Sequence, residues 1–248
     1  MLMSLIKEAA ADHPGPATAG PQESLRRGEA HLWCGTIESG IACLKTKGDL
    51  CEEEWARVHH LAEGRVRETF FVARKALRAL LGRYSGHDPR HLRFAYGASG
   101  KPHLLQPGVR QPLHFNLSHT AGLFGIAITT TGELGFDVER LDRCFDLFTL
   151  AEQILTPRER AEWARLPVAH RQRAILRYWT RKEAMLKASG DGLSVSPDVV
   201  EVGWHRAPKG WTVHSLVPSS GYIGCIAAPW PIRRLEHRWL VSERSDYD

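Results

Sequence analysis

From Glu52 to Leu81, apolar residues return at three- and four-residue intervals: Val58, Leu61, Phe70, Val72, Ala73, Leu77 and Leu80. That period lays an apolar stripe along helix, and Gly64 divides the stretch into two helices. Elsewhere the pattern is that of strands. His31–Ile37 and Leu92–Tyr96 read as strands, the second stopped by Gly97-Ala98-Ser99-Gly100. Leu123–Ile128 and Leu134–Val138 are expected to pair as a hairpin across Thr129–Glu133, with Gly132 supplying the turn. Thr156-Pro157-Arg158-Glu159 opens a helix: Thr156 caps, Pro157 fits the first helical position and Glu159 completes a capping box. That helix runs to about Leu166 and stops at Pro167. A longer one, about Ala169 to Ala188, carries Ile175, Leu176, Trp179, Met185 and Leu186 inward and ends at Gly190. Trp211–Leu216 and Tyr222–Ala227 close the pattern as strands.

Strands and helices of similar number fall on either side of Thr131, so the expected class is α/β (α+β), built as two related halves. Residues 25–131 form the first half and 132–248 the second, behind an Ala-, Pro- and Gly-rich leader at 1–24 with little to bury. A chain of 248 residues that is 43% hydrophobic and 25% charged is ordinary for a soluble globular enzyme. Its formal charge of +5 favours acidic partners without choosing among phosphates, nucleic acid and protein. Five cysteines with no Cys-x-x-Cys pair read as reduced thiols of a cytoplasmic protein. Met1–Ile6 is too short for a signal-peptide core, and nothing later approaches a membrane span.

The candidate chemistry is acidic. In Leu134-Gly135-Phe136-Asp137-Val138-Glu139, period two puts Asp137 and Glu139 on one strand face. Glu183 lies on the long helix, one turn before Lys187. Three carboxylates with room for water and phosphate suit Mg²⁺. In isolation, a solvated strand face and a helical ion pair is the stronger reading. The neighbouring blocks change it. Gly100-Lys101-Pro102, Phe115-Asn116-Leu117-Ser118-His119, Gly135-Phe136-Asp137-Val138-Glu139 and Trp179-Thr180-Arg181-Lys182-Glu183-Ala184-Met185-Leu186-Lys187-Ala188 stand in that order. Together they resemble the 4′-phosphopantetheinyl transferases of the larger, surfactin-synthetase-activating type, over roughly residues 30 to 228.

The resemblance implies a pseudo-twofold pair of halves with the active site in the cleft between them. It implies transfer of the phosphopantetheine arm of coenzyme A to a serine of an apo acyl or peptidyl carrier protein, releasing adenosine 3′,5′-bisphosphate. Asp137, Glu139 and Glu183 would hold Mg²⁺, for which Mn²⁺ can substitute, with Glu183 also the candidate base and Lys187 placed to neutralise the pyrophosphate. Lys101, Ser118 and His119 would line the coenzyme A site, and Arg57 and Arg74 would reach its phosphates. His60 stands where the family often has another basic residue, and Ile154-Leu155 where an aromatic is common. The carrier would be acidic, met by Arg158, Arg160, Arg165, Arg171 and Arg173, for any one of which a plain soluble helix face is an equal reading, and the enzyme a monomer that takes no nucleic acid.

Other readings of the same residues are weaker. Gly97–Lys101 lacks the Walker glycine and the Ser or Thr after lysine, so a tight turn is expected there. Ser118 and His119 do not make a hydrolytic pair, since strand neighbours point oppositely and no nucleophile elbow surrounds the serine. The exception is Arg57, Arg65, Arg67, Arg74 and Lys75, for most of which a plain polar helix face is the stronger reading. Two rivals of other classes remain: a metal-dependent phosphohydrolase built on the same acids, and a basic nucleic-acid-binding module, for which no zinc knuckle or aromatic RNA-binding motif appears.

Overall fold

The computed structural model describes residues 23–37, 39, 50–61, 64–97, 99–105, 112–190, 194–204 and 206–240. Nearly all of the expected leader thus lies outside the described residues. The fold is mixed α+β. Its elements are β1 (Glu29–Gly35), α1 (Glu52–His60), α2 (Arg65–Ser85), β2 (Arg93–Tyr96), β3 (Pro102–Leu105), β4 (His114–Thr120), β5 (Leu123–Thr129) and β6 (Gly135–Arg140). After these come α3 (Leu147–Ile154), α4 (Pro157–Ala164), α5 (Val168–Ser189), β7 (Thr212–Leu216), β8 (Tyr222–Ala228) and β9 (Arg234–Trp239).

Local signals act as the sequence implies. Gly64, at φ +113°, separates α1 from α2, and Gly190 ends α5 in the left-handed region, at φ +83°. The Thr156 hydroxyl accepts from Glu159 N at 3.2 Å while the Glu159 carboxylate takes Thr156 N at 3.1 Å, the full capping box. Gly97 to Gly100 is a tight turn, joining β2 to β3 as a two-stranded sheet.

The expected hairpin between residues 123–128 and 134–138 does not form. β5 pairs on one side with β4 and on the other with β1, while β6 pairs with β8. Two glycines explain the choice. Gly125 of β5 leaves a notch for the Phe136 ring, since a Cβ there would lie 2.3 Å from the ring. A Cβ on Gly135 would lie 1.9 Å from Ala184 O, so the backbone of α5 rests directly on the start of β6. The two strands therefore stack in different layers instead of pairing side by side.

Those layers run helix, sheet, sheet, helix. Trp33, Phe124, Ile126 and Ile128 pack towards α2, and Ile175, Ala184, Cys225 and Ala227 join α5 to the β6–β8–β7 sheet. Between the sheets lie Leu32, Ala127, Leu134, Phe136, Val138 and Ile226. The first sheet has the order β4–β5–β1–β9, with β9 parallel to β1. A division at residue 131 assigns 234–239 to the second half, yet this strand completes the sheet of the first. α3, whose Asp146 side chain accepts from Phe148 N and Thr149 N, also went unread in the sequence, as did β9.

Candidate active site

The first and second larger sheets meet along a seam between their edge strands β4 and β6. No ladder joins them; side chains do. Asn116 Oδ1 accepts from Phe136 N at 2.9 Å, Ser118 Oγ donates to Asp137 Oδ1 at 2.9 Å, and Thr120 Oγ1 donates to Glu139 Oε2 at 3.3 Å. Small polar residues at every second position of the strand, 116, 118 and 120, were the available signal for Asn116 and Thr120. Ser118 is buried and His119 exposed, as strand alternation requires.

Asp137 and Glu139 share the α5 face of their sheet with their cross-strand partners Cys225 and Ile223. Lys187 Nζ lies 2.6 Å from Asp137 Oδ1 and 3.2 Å from Ser118 Oγ. The helical neighbour Glu183 is therefore not its ion-pair partner. Asp137 Oδ2 is buried with no hydrogen-bond partner, and burial pushes the Asp137 carboxyl up, against the pull of Lys187. Glu139 Oε1 is held by Arg143 at 2.6 Å. Glu183 is half-buried; burial raises its pKa, Lys187 lowers it, and Asp137 and Glu139 raise it further. Although solvent reaches the His119 ring, the surrounding walls desolvate it, and with Lys187 they push its pKa down.

The basic residues divide differently. Arg74 is buried among Phe70, Phe94 and Tyr96, 5.7–6.0 Å from each ring centroid, and donates to Tyr96 Oη at 3.2 Å. Its Nε and Nη1 are buried without hydrogen-bond partners. Arg57 is exposed, 5.8 Å from the Phe70 ring centroid. Lys101 is buried and bonded within the protein, to Glu133, Leu134 O and Lys187 O. Arg171, grouped by sequence with the docking arginines, caps α4 instead, donating to Leu166 O and Ala164 O.

The donors at the seam fit a hard divalent cation: carboxylates from three positions, one of them offering a buried oxygen no protein group uses. Among the described residues, the trio of ligand atoms gathered within 4.8 Å is a different one, Glu29, His31 and Glu236. At the seam Lys187 and Arg143 supply the countercharge. In the β1–β9 trio, Arg234 and Arg238 do so, which leaves no vacant charge there for a metal.

Residues 133–223, which span β6, α5 and all three of the seam's acids, match the 4′-phosphopantetheinyl transferase superfamily. Over 214 residues the chain is 32% identical to the 4′-phosphopantetheinyl transferase HetI of Nostoc sp., covering 84% of this chain and 90% of that protein. A putative 4′-phosphopantetheinyl transferase of Synechocystis sp., slr0495, is 34% identical over 58% of each chain. The Escherichia coli 4′-phosphopantetheinyl transferase AcpT is 33% identical over 59% of this chain and 72% of its own. The chain belongs to the 4′-phosphopantetheinyl transferase family. It is accordingly an enzyme of that class, one that phosphopantetheinylates carrier protein. No helix among the described residues is long and apolar enough to cross a membrane.

Proposed function

We propose that the seam transfers the 4′-phosphopantetheine arm of coenzyme A to a serine of an acidic apo carrier protein. The observation that carries this is Asp137: one oxygen is fixed by Ser118 and Lys187, while the other is buried and uncommitted. Asp137, Glu139 and Glu183 would hold Mg²⁺, which when bound supplies charge neutralisation on the pyrophosphate. Glu183, with no protein partner competing for its carboxylate among the described residues, takes the proton of the carrier serine. The serine oxygen bonds to the phosphorus bearing the arm, and the bond from that phosphorus to the bridging oxygen breaks. Lys187 stabilises the charge left on adenosine 3′,5′-bisphosphate. Arg57 and Arg74 meet the nucleotide phosphates, and Arg74 Nη1, buried without a hydrogen-bond partner, supports that role, while its Nε lies 3.8 Å from Glu54 Oε1. We further read the two helix-backed sheets as halves related by a pseudo-twofold axis, in a monomer.

The test is mass spectrometry of apo acyl and peptidyl carriers incubated with enzyme, coenzyme A and Mg²⁺. A gain of one phosphopantetheine on the carrier serine is the expected result. Free phosphopantetheine without carrier modification would indicate a hydrolase instead, and salt-sensitive nucleic-acid affinity without either reaction would indicate a binding module. His119→Ala is expected to raise the KM for coenzyme A and change the maximal rate less, since a phosphate remote from the reacting bond is held alike in ground and transition states. Steady-state kinetics at saturating carrier read this directly. A large fall in maximal rate at constant KM would assign His119 to the reacting centre.

A further inference from the structure

We infer that Lys101 is a positioning residue for the reaction, gripping the C-terminal turn of α5 so that Lys187 stays aimed at Asp137. An ammonium has three N–H donors, and Lys101 Nζ has three acceptors from its own protein: Glu133 Oε2 at 2.5 Å, Lys187 O at 2.7 Å and Leu134 O at 3.1 Å. None remains for a phosphate. Lys187 O belongs to the last turn of α5, where carbonyls lack helical partners and the helix dipole is negative, so a cation is favoured there. Lys187 is thereby held at both ends, its carbonyl by Lys101 and its ammonium by Asp137.

The anchor behind Lys101 is itself fixed. Glu133 takes His114 Nδ1 at 2.8 Å, and its carbonyl accepts from Trp230 Nε1 at 2.8 Å. Burial opposes its ionisation, yet His114 and Lys101 hold its pKa down at about 2. Two residues further, the α5 backbone rests on Gly135, where a Cβ would come within 2.6 Å of Ala188 N. With so little slack between helix and strand, releasing the clamp shifts Lys187 relative to Asp137, and misplacement by about 1 Å can cost on the order of a hundredfold in rate.

This inference rests on the proposed role of Lys187, and the experiment separates the two. Single-turnover transfer and the KM for coenzyme A are measured for Lys101→Met, Glu133→Gln, Lys187→Ala and the Lys101→Met/Lys187→Ala double variant. Lys101→Met is expected to lower the maximal rate by roughly ten- to a hundredfold with KM changed less than about twofold. Glu133→Gln, which keeps both carbonyl acceptors, should show the same split in smaller measure and serves if Lys101→Met does not fold. In the double variant, losing Lys101 should add little to the loss of Lys187, because one acts through the other. A raised KM with an unchanged maximal rate in either clamp variant would return Lys101 to the nucleotide. A wild-type rate in the clamp variants beside a slow Lys187→Ala overturns the inference alone; a wild-type rate in Lys187→Ala overturns the role of Lys187 and the inference with it.

Discussion

Asp137→Ala is expected to reduce carrier modification to background while the protein still folds. The carboxylate is the most constrained of the three acids, buried and pinned by Ser118 and Lys187. Truncating it also removes a desolvated oxygen that no protein atom satisfies, which limits the structural cost. Lys187 is not stranded, because about a quarter of its side chain is exposed, 27%, and Ser118 Oγ remains 3.2 Å away. Catalysis has no such cushion. A bound cation contributes several kcal/mol of charge stabilisation, and with each ~1.4 kcal/mol worth about tenfold, the loss is on the order of a thousandfold or more. Transfer rates of wild type in excess chelator and of the variant in excess Mg²⁺ should both fall to background, with the near-ultraviolet circular dichroism of the variant unchanged. Turnover in excess chelator would remove metal from the mechanism, and wild-type turnover of the variant would remove Asp137 from the metal's ligands.

Glu183→Gln is expected to separate stability from activity. The amide preserves shape and volume but cannot accept the serine proton, so a loss of roughly a hundred- to ten-thousandfold is expected, the usual worth of general base catalysis. The same change relieves a half-buried carboxylate of desolvation and of repulsion from Asp137 and Glu139, so the variant should melt at or above the wild-type temperature. Active sites carry such destabilising charge because the chemistry needs it. Thermal unfolding and single-turnover transfer on one preparation measure both. A rate within tenfold of wild type would leave Glu183 as a metal ligand without the duties of a base.

The acids and the helix boundaries were legible in the sequence because they depend on local rules. Period two set Asp137 and Glu139 on one face, and Thr156 with Glu159 announced its helix. Which strand each edge meets is a long-range outcome: nothing local to Leu134–Val138 says that Gly135 must admit α5, or that Phe136 must fill the notch at Gly125. Lys101 was visible as part of a motif, but two of its acceptors are backbone carbonyls, which leave no mark in the residue types. The amphipathic reading of α2 missed Arg74 and Arg78 because both are buried by partners from elsewhere. Arg78, fully buried, donates to Glu54 Oε2 at 2.6 Å and to the carbonyls of Pro89 and Leu92.

The parallel pairing of β9 with β1 bears on how the chain is born. His31 and Arg238, which meet across that pair, are 207 positions apart. A ribosome adding about 5–20 residues per second needs roughly 10–40 s to span that interval. Throughout it, β1 has no partner on the side β9 will occupy, and an unpaired strand edge is a template for strands of other chains. Nascent protein should therefore be most prone to misassociate late in translation, and a holdase that engages the emerging β1 would shield it until its last neighbour leaves the exit tunnel.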